Sequence, residues 1–385
     1  MLHALLVAAV GFGALLLFVV LPANFAFTPR LSRPHPRPAR APRVSIVIPA
    51  RNEERAIESA VLAHLAQGYP DFEIVVVDDR STDRTGEILA GLAREDARLR
   101  IITGSDPPAG WLGKPHALHL GAGAATGDLL LFVDADVIHD PRTLADAVAL
   151  LTARRLDFVA FLPRMEANGF WESVLMPYVL GAYFGGIGFL ANADRPRWVA
   201  AGGGAGNLIR RSVYEALGGH AALKDSVIDD VHLALKTKWA GFKARAVRAE
   251  DRVSVRMYRG FAEVVNGFTK NMAYALNGLL GAVLFVLTAA LTVLWVTPPL
   301  ALAAALVGAP VPTGDLFLAT AAFALTIAAR LAAAAALRDK LWPSLTHPIM
   351  AAIWAFIICR SLYHRVIRRR LVWRGREFDA RGARF

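Results

Sequence analysis

Four short apolar runs alternate with four amphipathic stretches between Val44 and Arg155, and this alternation constrains the fold more than any other feature. The runs are "VSIVIPA" (Val44–Ala50), "FEIVVVDD" (Phe72–Asp79), "LRIITG" (Leu99–Gly104) and "DLLLFVDADV" (Asp128–Val137). Between them, "NEERAIESAVLAHLAQG" sets Ile57, Ala60, Val61, His64 and Leu65 on one helical face and closes at Gly68. "STDRTGEILAGLAR", "KPHALHLGAGAA" and "PRTLADAVALLTARR" read as three further helices, the last with proline in its first turn. Strands that are apolar throughout must be covered on both faces, so the fold class is α/β with a mostly parallel sheet flanked by helices.

In such sheets ligands bind beyond the carboxyl ends of the strands. The first run ends at Ala50-Arg51-Asn52-Glu53, the second at Asp78-Asp79 and the fourth at Asp134-Ala135-Asp136. A single acidic strand end is commonly a helix cap or solvated turn, and Asp83 fits that reading. Several acids at one sheet edge repel unless a cation sits among them. A hard divalent ion with oxygen ligands, Mg²⁺ or Mn²⁺, meets that need, with phosphate oxygens completing it. The known phosphate loops do not apply. Gly113-Lys114 is followed by Pro115, and Pro108 stands where a Walker A loop needs its first glycine. "GAGAATG" around Gly121 and Gly123 precedes a strand, whereas a dinucleotide fingerprint follows one.

At 55% apolar residues and a mean hydropathy of +0.40, the 385-residue chain also carries a membrane contribution. Leu2–Leu21 has the length of one crossing, with no Lys or Arg before it and arginines after it, which places the following domain in the cytoplasm. A cleaved signal peptide is disfavoured because the charged leading region and an A-x-A site are missing. Lipidation is not expected, because no Gly follows Met1 and no CaaX sequence stands at the end of this sequence. Apolar runs recur at Leu279–Val296, Leu316–Leu337 and about Ser344–Leu362. Three crossings would carry the basic tail outside, so one run, or the Pro298-Pro299 break, is miscounted, re-entrant or an extra span. The expected organisation is an anchor over 1–27, a Pro/Arg-rich extended linker over 28–42, a catalytic domain over 43–276, and membrane helices with a basic tail over 277–385.

The net charge of +11 resides at the membrane flanks. Five arginines and no acid lie between Arg30 and Arg43, and nine arginines against Glu377 and Asp379 lie between Arg360 and Arg384. Such clusters suit lipid headgroups, and a nucleic-acid partner is not expected. Cys359 is the single cysteine, so no disulfide or zinc framework exists.

"VSIVIPARNEE", "IVVVDDRSTDRT", "LLFVDADV" and "VIDDVHLA" resemble, in order and spacing, the inverting family 2 glycosyltransferases of GT-A fold, over about Val44 to Asn271. "PPAGWLGKPHAL", "DSVIDDVHLALK", "SVRMYRGFAE" and "WRGREF" resemble more narrowly the hopene-associated membrane glycosyltransferases. "GWLGK" is also similar to carotenoid-modifying members. The resemblance implies a nucleotide-sugar donor, with UDP the expected nucleotide. Pro49, Ala50, Asn52 and Glu53 would shape its pocket, with Glu53 and Asp79 near ribose and uracil and Asp78 supporting the turn. Asp134 would lie near the ribose, Asp136 would hold the metal, and Lys114 would face the diphosphate, as a compact cation suits.

An inverting displacement needs one base for the acceptor hydroxyl. Asp230 matches the family's base. Asp229 stands beside it, in place of the more usual glutamate, and either could instead cap the helix of "DSVIDDVHLALKTK". In "AAGGGAGNLIRR" three glycines permit close backbone approach, and Asn207 begins a strand, as a site residue or as part of a plain turn. "RMYRGFAE" occupies the place of the Q-x-x-R-W motif of processive synthases. Gln67 is the only glutamine, so that motif is absent and a single transfer is expected. Arg256 and Arg259 would contact the diphosphate or the membrane surface. "FWESVLMPYVLGAYFGGIGFL" (Phe170–Leu190) reads equally as an interfacial helix delivering a lipid, a buried helix, or another span. The expectation is an integral protein of a bacterial-type inner membrane glycosylating a lipid hydroxyl, a hopanoid or other isoprenoid. Its alternatives are transfer to a polyprenyl phosphate, a non-catalytic sugar-nucleotide-binding subunit of a membrane complex, and a transport path gated by the domain. The last is disfavoured because the C-terminal runs hold almost no internal acids and only one internal charge, Arg330.

Overall fold

The computed structural model describes residues 1–275, 278–368, 370–373 and 376–379, without the side chains of 273–284 and 368–379. The expected 276/277 domain boundary, Arg374-Gly375 of "WRGREF" and the end of the basic tail lie outside the described residues. In chain order the helices are α1 (Leu2–Phe27), α2 (Ile57–Leu65), α3 (Thr85–Glu95), α4 (Gly113–Ala124), α5 (Thr143–Ala153), α6 (Phe170–Asn192), α7 (Asp229–Trp239), α8 (Gly260–Ala275), α9 (Gly278–Leu306), α10 (Thr313–Leu337) and α11 (Trp342–Ile367). The strands are β1 (Val44–Ala50), β2 (Phe72–Asp78), β3 (Leu99–Thr103), β4 (Leu129–Phe132), β5 (Val137–His139), β6 (Phe158–Leu162), β7 (Arg164–Met165), β8 (Asn207–Arg210), β9 (Ala244–Arg248) and β10 (Val253–Val255), followed by the hairpin β11 (Arg370–Trp373) and β12 (Arg376–Asp379).

Two compact units result. One comprises Phe27–Glu166 and Gly188–Met257, the other Met1–Ala26, Ala167–Ile187 and Tyr258–Phe385. The first is built on a seven-stranded sheet of order β3-β2-β1-β4-β8-β6-β9. β1 to β4 are mutually parallel, β8 runs antiparallel to β4 and β6, and β9 is parallel to β6. This is the mostly parallel sheet that the continuous apolar runs require. Ile46, Val47, Ile48, Ile74, Val75 and Val76 are fully buried, consistent with cover on both faces. The register aligns Ala50 with Asp78, so the acidic ends of β1 and β2 arrive level.

The expected fourth strand is corrected. Pairing of β4 with β1 ends at Val47 and Phe132, and Val137–His139 joins a second sheet of order β5-β10-β7. Asp134 and Asp136 therefore lie on the segment crossing between two sheets. The Asp134 N–H leaves the ladder and donates to the Gly204 carbonyl at 2.8 Å, which turns the chain. Pro49 is tolerated in a central strand for the same reason. Its missing donor falls beyond the last residue paired with β4.

The second unit is helical. Among the described residues five helices are long and apolar enough to cross a membrane: Leu2–Phe27, Phe170–Asn192, Phe285–Leu306, Thr313–Leu337 and Trp342–Ile367. The Pro298-Pro299 pair does not break α9, contrary to the sequence reading. Each proline removes a single backbone donor, and the helix continues past both. The aromatic first part of α6 belongs to this unit. The Trp354 indole donates to the Leu175 carbonyl at 3.2 Å, and Glu172 accepts from the Gly260 and Asn168 N–H groups at 3.0 and 2.9 Å.

Candidate active site

The ends of β1 and β2 form one shelf. Past β1 the chain turns through Asn52, whose φ of 52° lies in the left-handed region that asparagine tolerates. The Asn52 side-chain oxygen accepts from the Thr82 N–H at 2.8 Å, and its own N–H donates to the Ser81 hydroxyl at 3.0 Å. The Glu53 N–H donates to the Thr85 hydroxyl at 2.8 Å. Asp78 accepts from the Ser81 N–H at 3.0 Å, so it holds the turn. Asp83 is half-buried and takes the Thr85 and Glu54 N–H groups, which makes it a cap. Asp79 is buried and lies 2.7 Å from the Arg80 guanidinium and 3.4 Å from that of Arg51, while its N–H donates to the Ala50 carbonyl.

A second group gathers around Lys114, the second residue of α4. Its ammonium lies 2.6 Å from the Asp134 carboxylate and 4.0 Å from that of Asp229. Asp229 and Asp230 open α7, and both line one pocket with Lys114, Asp134, Asn207 and His220. The Asp230 carboxylate accepts the Val231 N–H at 2.8 Å. The Asn207 amide donates to the Asp230 carbonyl at 3.3 Å and accepts from the Gly203 N–H at 3.4 Å. Two glycines make this convergence possible. A Cβ at Gly204 would lie 1.9 Å from the Asp134 carboxylate, and one at Gly202 would lie 2.2 Å from the Asp230 carbonyl oxygen.

The electrostatics divide the carboxylates. Burial pushes Asp230 up to about 6, reinforced by the charges of Asp229 and Asp134 and opposed by Lys114. Burial acts on Asp229 too, but Lys114 and the His220 ring, 3.8 Å away, outweigh it and hold that carboxyl below its ordinary value. Lys114 is shifted upward because Asp134, Asp229 and Asp230 outweigh its desolvation, so it remains a cation. Asp136 is pushed up to about 7 by burial and then by the nearby Asp134 and Glu53 charges. A cation beside Asp136 would relieve that stress. Among the described residues no three His, Cys, Asp or Glu side chains form a metal cage.

Residues 45–218 match the family described as "Glycosyl transferase family 2". The chain carries a family 2 glycosyltransferase domain. It is 29% identical over 238 residues to the 4,4'-diaponeurosporenoate glycosyltransferase of Staphylococcus haemolyticus, covering 60% of this chain and 61% of that protein. The enzyme of the same name from Staphylococcus aureus strain MRSA252 is 27% identical over 241 residues, covering 61% and 62%. The chain thus matches just over three fifths of the length of these curated relatives. Among solved structures, a mannosyltransferase from Pyrobaculum calidifontis in complex with GDP-Man and Mn²⁺ superposes with a TM-score of 0.61 at 22% identity, covering 95% of this chain and 99% of that one. The domain has the GT-A fold.

The positions singled out from sequence fall into four places, with Asp229, Asp230, Arg256 and Arg259 beyond the matched residues 45–218. Pro49, Ala50, Asn52, Glu53, Asp78 and Asp79 stand on the β1/β2 shelf, and Lys114, Asp134, Asn207, Asp229 and Asp230 line the pocket. Asp136 lies on the crossing segment, within electrostatic reach of Glu53 and Lys114. Arg256 follows β10, and Arg259 precedes α8, where its N–H donates to Glu263 at 2.8 Å; neither lines the Lys114 pocket. Sequence reasoning missed His220. It is 1% exposed, its Nδ1 lies 2.9 Å from the Tyr214 hydroxyl, and its other nitrogen faces Asp229. It also missed the pairing of Asp79 with Arg51 and Arg80. The arginines adjoin the acidic motifs in sequence, which was an available signal, whereas His220 reaches Asp229 only through tertiary folding.

Proposed function

We propose that this chain is a membrane-bound inverting glycosyltransferase that moves a single sugar from a nucleotide-diphosphate sugar, with UDP the expected nucleotide, to the hydroxyl of a lipid. The observation that carries the reading is Asp230, a carboxyl held near 6 in a pocket it shares with the Lys114–Asp134 ion pair. A base with that affinity is ionised at neutral pH yet retains the basicity to accept a hydroxyl proton. The hydroxyl oxygen forms the new bond to the anomeric carbon as its proton passes to Asp230. The bond to the diphosphate breaks, and its electron pair leaves with the nucleotide. Lys114 faces the charge that develops there, exchanging its contact with Asp134 for one with phosphate. Asp136 would hold a Mg²⁺ or Mn²⁺ ion, which when bound supplies electrostatic stabilisation of the leaving diphosphate.

Pro49, Ala50, Asn52, Glu53, Asp78 and Asp79 form the nucleotide side of the site, and Asn207 and Asp229 position the base. Arg256 and Arg259 serve the diphosphate or the membrane surface. A hydroxyl acceptor is favoured over a polyprenyl phosphate, because an already ionised phosphate has no need of the base that burial creates at Asp230. An isoprenoid acceptor, a hopanoid included, is supported by the names of the staphylococcal relatives and by the five apolar helices. The arginines after α1 support a cytoplasmic catalytic domain. The test incubates membranes containing the protein with a panel of labelled UDP- and GDP-sugars and extracts the lipids. One donor should label lipid, and Asp230→Asn should abolish the labelling. Failure of every donor would overturn the reading.

A further inference from the structure

The helical unit contains a cluster of polar side chains that the catalytic reading does not use. Trp295 lies on α9, Arg330 on α10, and Ser344 and His347 on the first turns of α11. The His347 and Trp295 rings meet edge to face, with centroids 4.8 Å apart at 78°, and His347 lies within electrostatic reach of Arg330. The Arg330 guanidinium packs on α6 at Gly181, where an added Cβ would stand 3.0 Å from Nη1. Ser344 and His347 are 1% and 3% exposed. Even so, the Trp295 indole nitrogen, Arg330 Nε, the Ser344 hydroxyl and both His347 ring nitrogens have no hydrogen-bond partner. The Asp339 carboxylate is within electrostatic reach of Arg330, but among the described residues no ion pair joins the two.

Other polar side chains in the helical unit do not behave this way. Thr269, Thr292, Thr320 and Ser361 each donate to the backbone carbonyl four residues earlier, at 2.6 to 2.9 Å. The helices therefore satisfy polar groups locally where a local partner serves. A buried cation and several buried donors left together are costly unless something external completes them. The set is rich in donors and carries a net positive charge, so its complement is an oxyanion. Arg330 stands seven residues before the end of α10, about 10 Å along the axis, a depth at which the polar head of an amphiphile meets its chains.

We propose that Trp295, Arg330, Ser344 and His347 form a binding site for the oxyanion of a membrane amphiphile, a phosphate or a carboxylate. The guanidinium supplies the charge, the indole and the hydroxyl donate hydrogen bonds, and the imidazole donates from whichever nitrogen carries the proton. Gly181 leaves room for the guanidinium to approach the helix backbone. The site shares no residue with the Lys114 pocket.

The full-length protein purified in neutral detergent provides the test, read by native mass spectrometry and thermal unfolding. Probes are phosphatidylglycerol, oleic acid, diacylglycerol and inorganic phosphate. Phosphatidylglycerol, oleic acid or both should bind and raise the unfolding temperature, and diacylglycerol, which has the chains without the oxyanion, should not. Preference between the first two identifies the oxyanion as phosphate or carboxylate. Arg330→Gln should weaken binding at least tenfold. Trp295→Phe, which keeps an aromatic ring and loses the indole donor, should weaken it roughly three- to tenfold, so the test stands even if the arginine variant does not fold. Equal binding of diacylglycerol, equal stabilisation by inorganic phosphate alone, or parental binding by Trp295→Phe would overturn the proposal.

Discussion

Two sets of carboxylates stand at the same end of one sheet and are treated in opposite ways. On the β1/β2 shelf, Asp79 is clasped by Arg80 at 2.7 Å and Arg51 at 3.4 Å, and Asp78 is tied to the Ser81 N–H. Past β4, one lysine serves Asp134 and Asp229, while Asp230 and Asp136 are pushed up to about 6 and 7. The first set is electrostatically complete, which suits a rigid surface against a neutral base and ribose. The second is under-compensated, which suits groups that are to take up a proton or a cation. Sequence alone presents both as paired acids.

The largest test of this contrast lies within the second set. Asp230→Asn should lower transfer by roughly 10²–10⁴-fold, the span of general-base effects, while leaving metal-dependent donor binding in calorimetry near the parental value. Asp136→Asn should instead abolish the gain in donor affinity that Mn²⁺ or Mg²⁺ gives the parent. Equal loss of donor binding in the two variants would mean that the carboxylates share one role.

The pH dependence follows from the same residue. As the proposed base, Asp230 must be ionised to act, so the transfer rate should fall about tenfold per pH unit below about 6 and level off above it. Stability runs the other way. Folding raises this pKa, so the contribution is present at low pH and is lost as pH climbs through about 6. Rate profiles and thermal unfolding of parent and Asp230→Asn from pH 5 to 8 would expose both trends, and an unchanged acid limb in residual activity would assign it to another group.

Much of this arrangement was legible beforehand. β1 begins and ends at Val44 and Ala50 as the β-branched run indicates, Asn207 opens β8, and Asp229-Asp230 opens α7. These features depend on local pattern. The division of "LLLFVDADV" between two sheets was not legible, because it depends on a bond from Asp134 to Gly204 seventy residues away. α9 likewise continues through Pro298-Pro299, where local rules predict a break. His220 gave no signal, since its relation to Asp229 exists only once α7 has packed.

Gly202 tests the backbone side of the comparison. A methyl group there would meet the Asp230 carbonyl oxygen at 2.2 Å, so Gly202→Ala must shift the start of α7. Overpacking of this kind costs about 1–3 kcal/mol. Denaturant unfolding should show that loss, and transfer should fall while the shelf, and with it nucleotide affinity, changes little. A variant with parental stability and transfer would show that α7 adjusts freely and that Asp230 needs no fixed position.

The smallest effects should also be the most diagnostic, because they differ in sign. Asp79→Asn leaves Arg51 and Arg80 short of a counter-charge, so it should destabilise the metal-free protein by about 1 kcal/mol. Asp136→Asn removes a buried carboxylate that Asp134 and Glu53 already oppose, so in chelator at pH 8 it should stabilise by a comparable small amount. Adding Mn²⁺ should reverse the second difference, since only the parent then gains from the ion. Paired unfolding curves with and without Mn²⁺ therefore separate an acid placed for structure from one held for a ligand. Two variants that both destabilise in chelator would show that Asp136 is compensated within the fold.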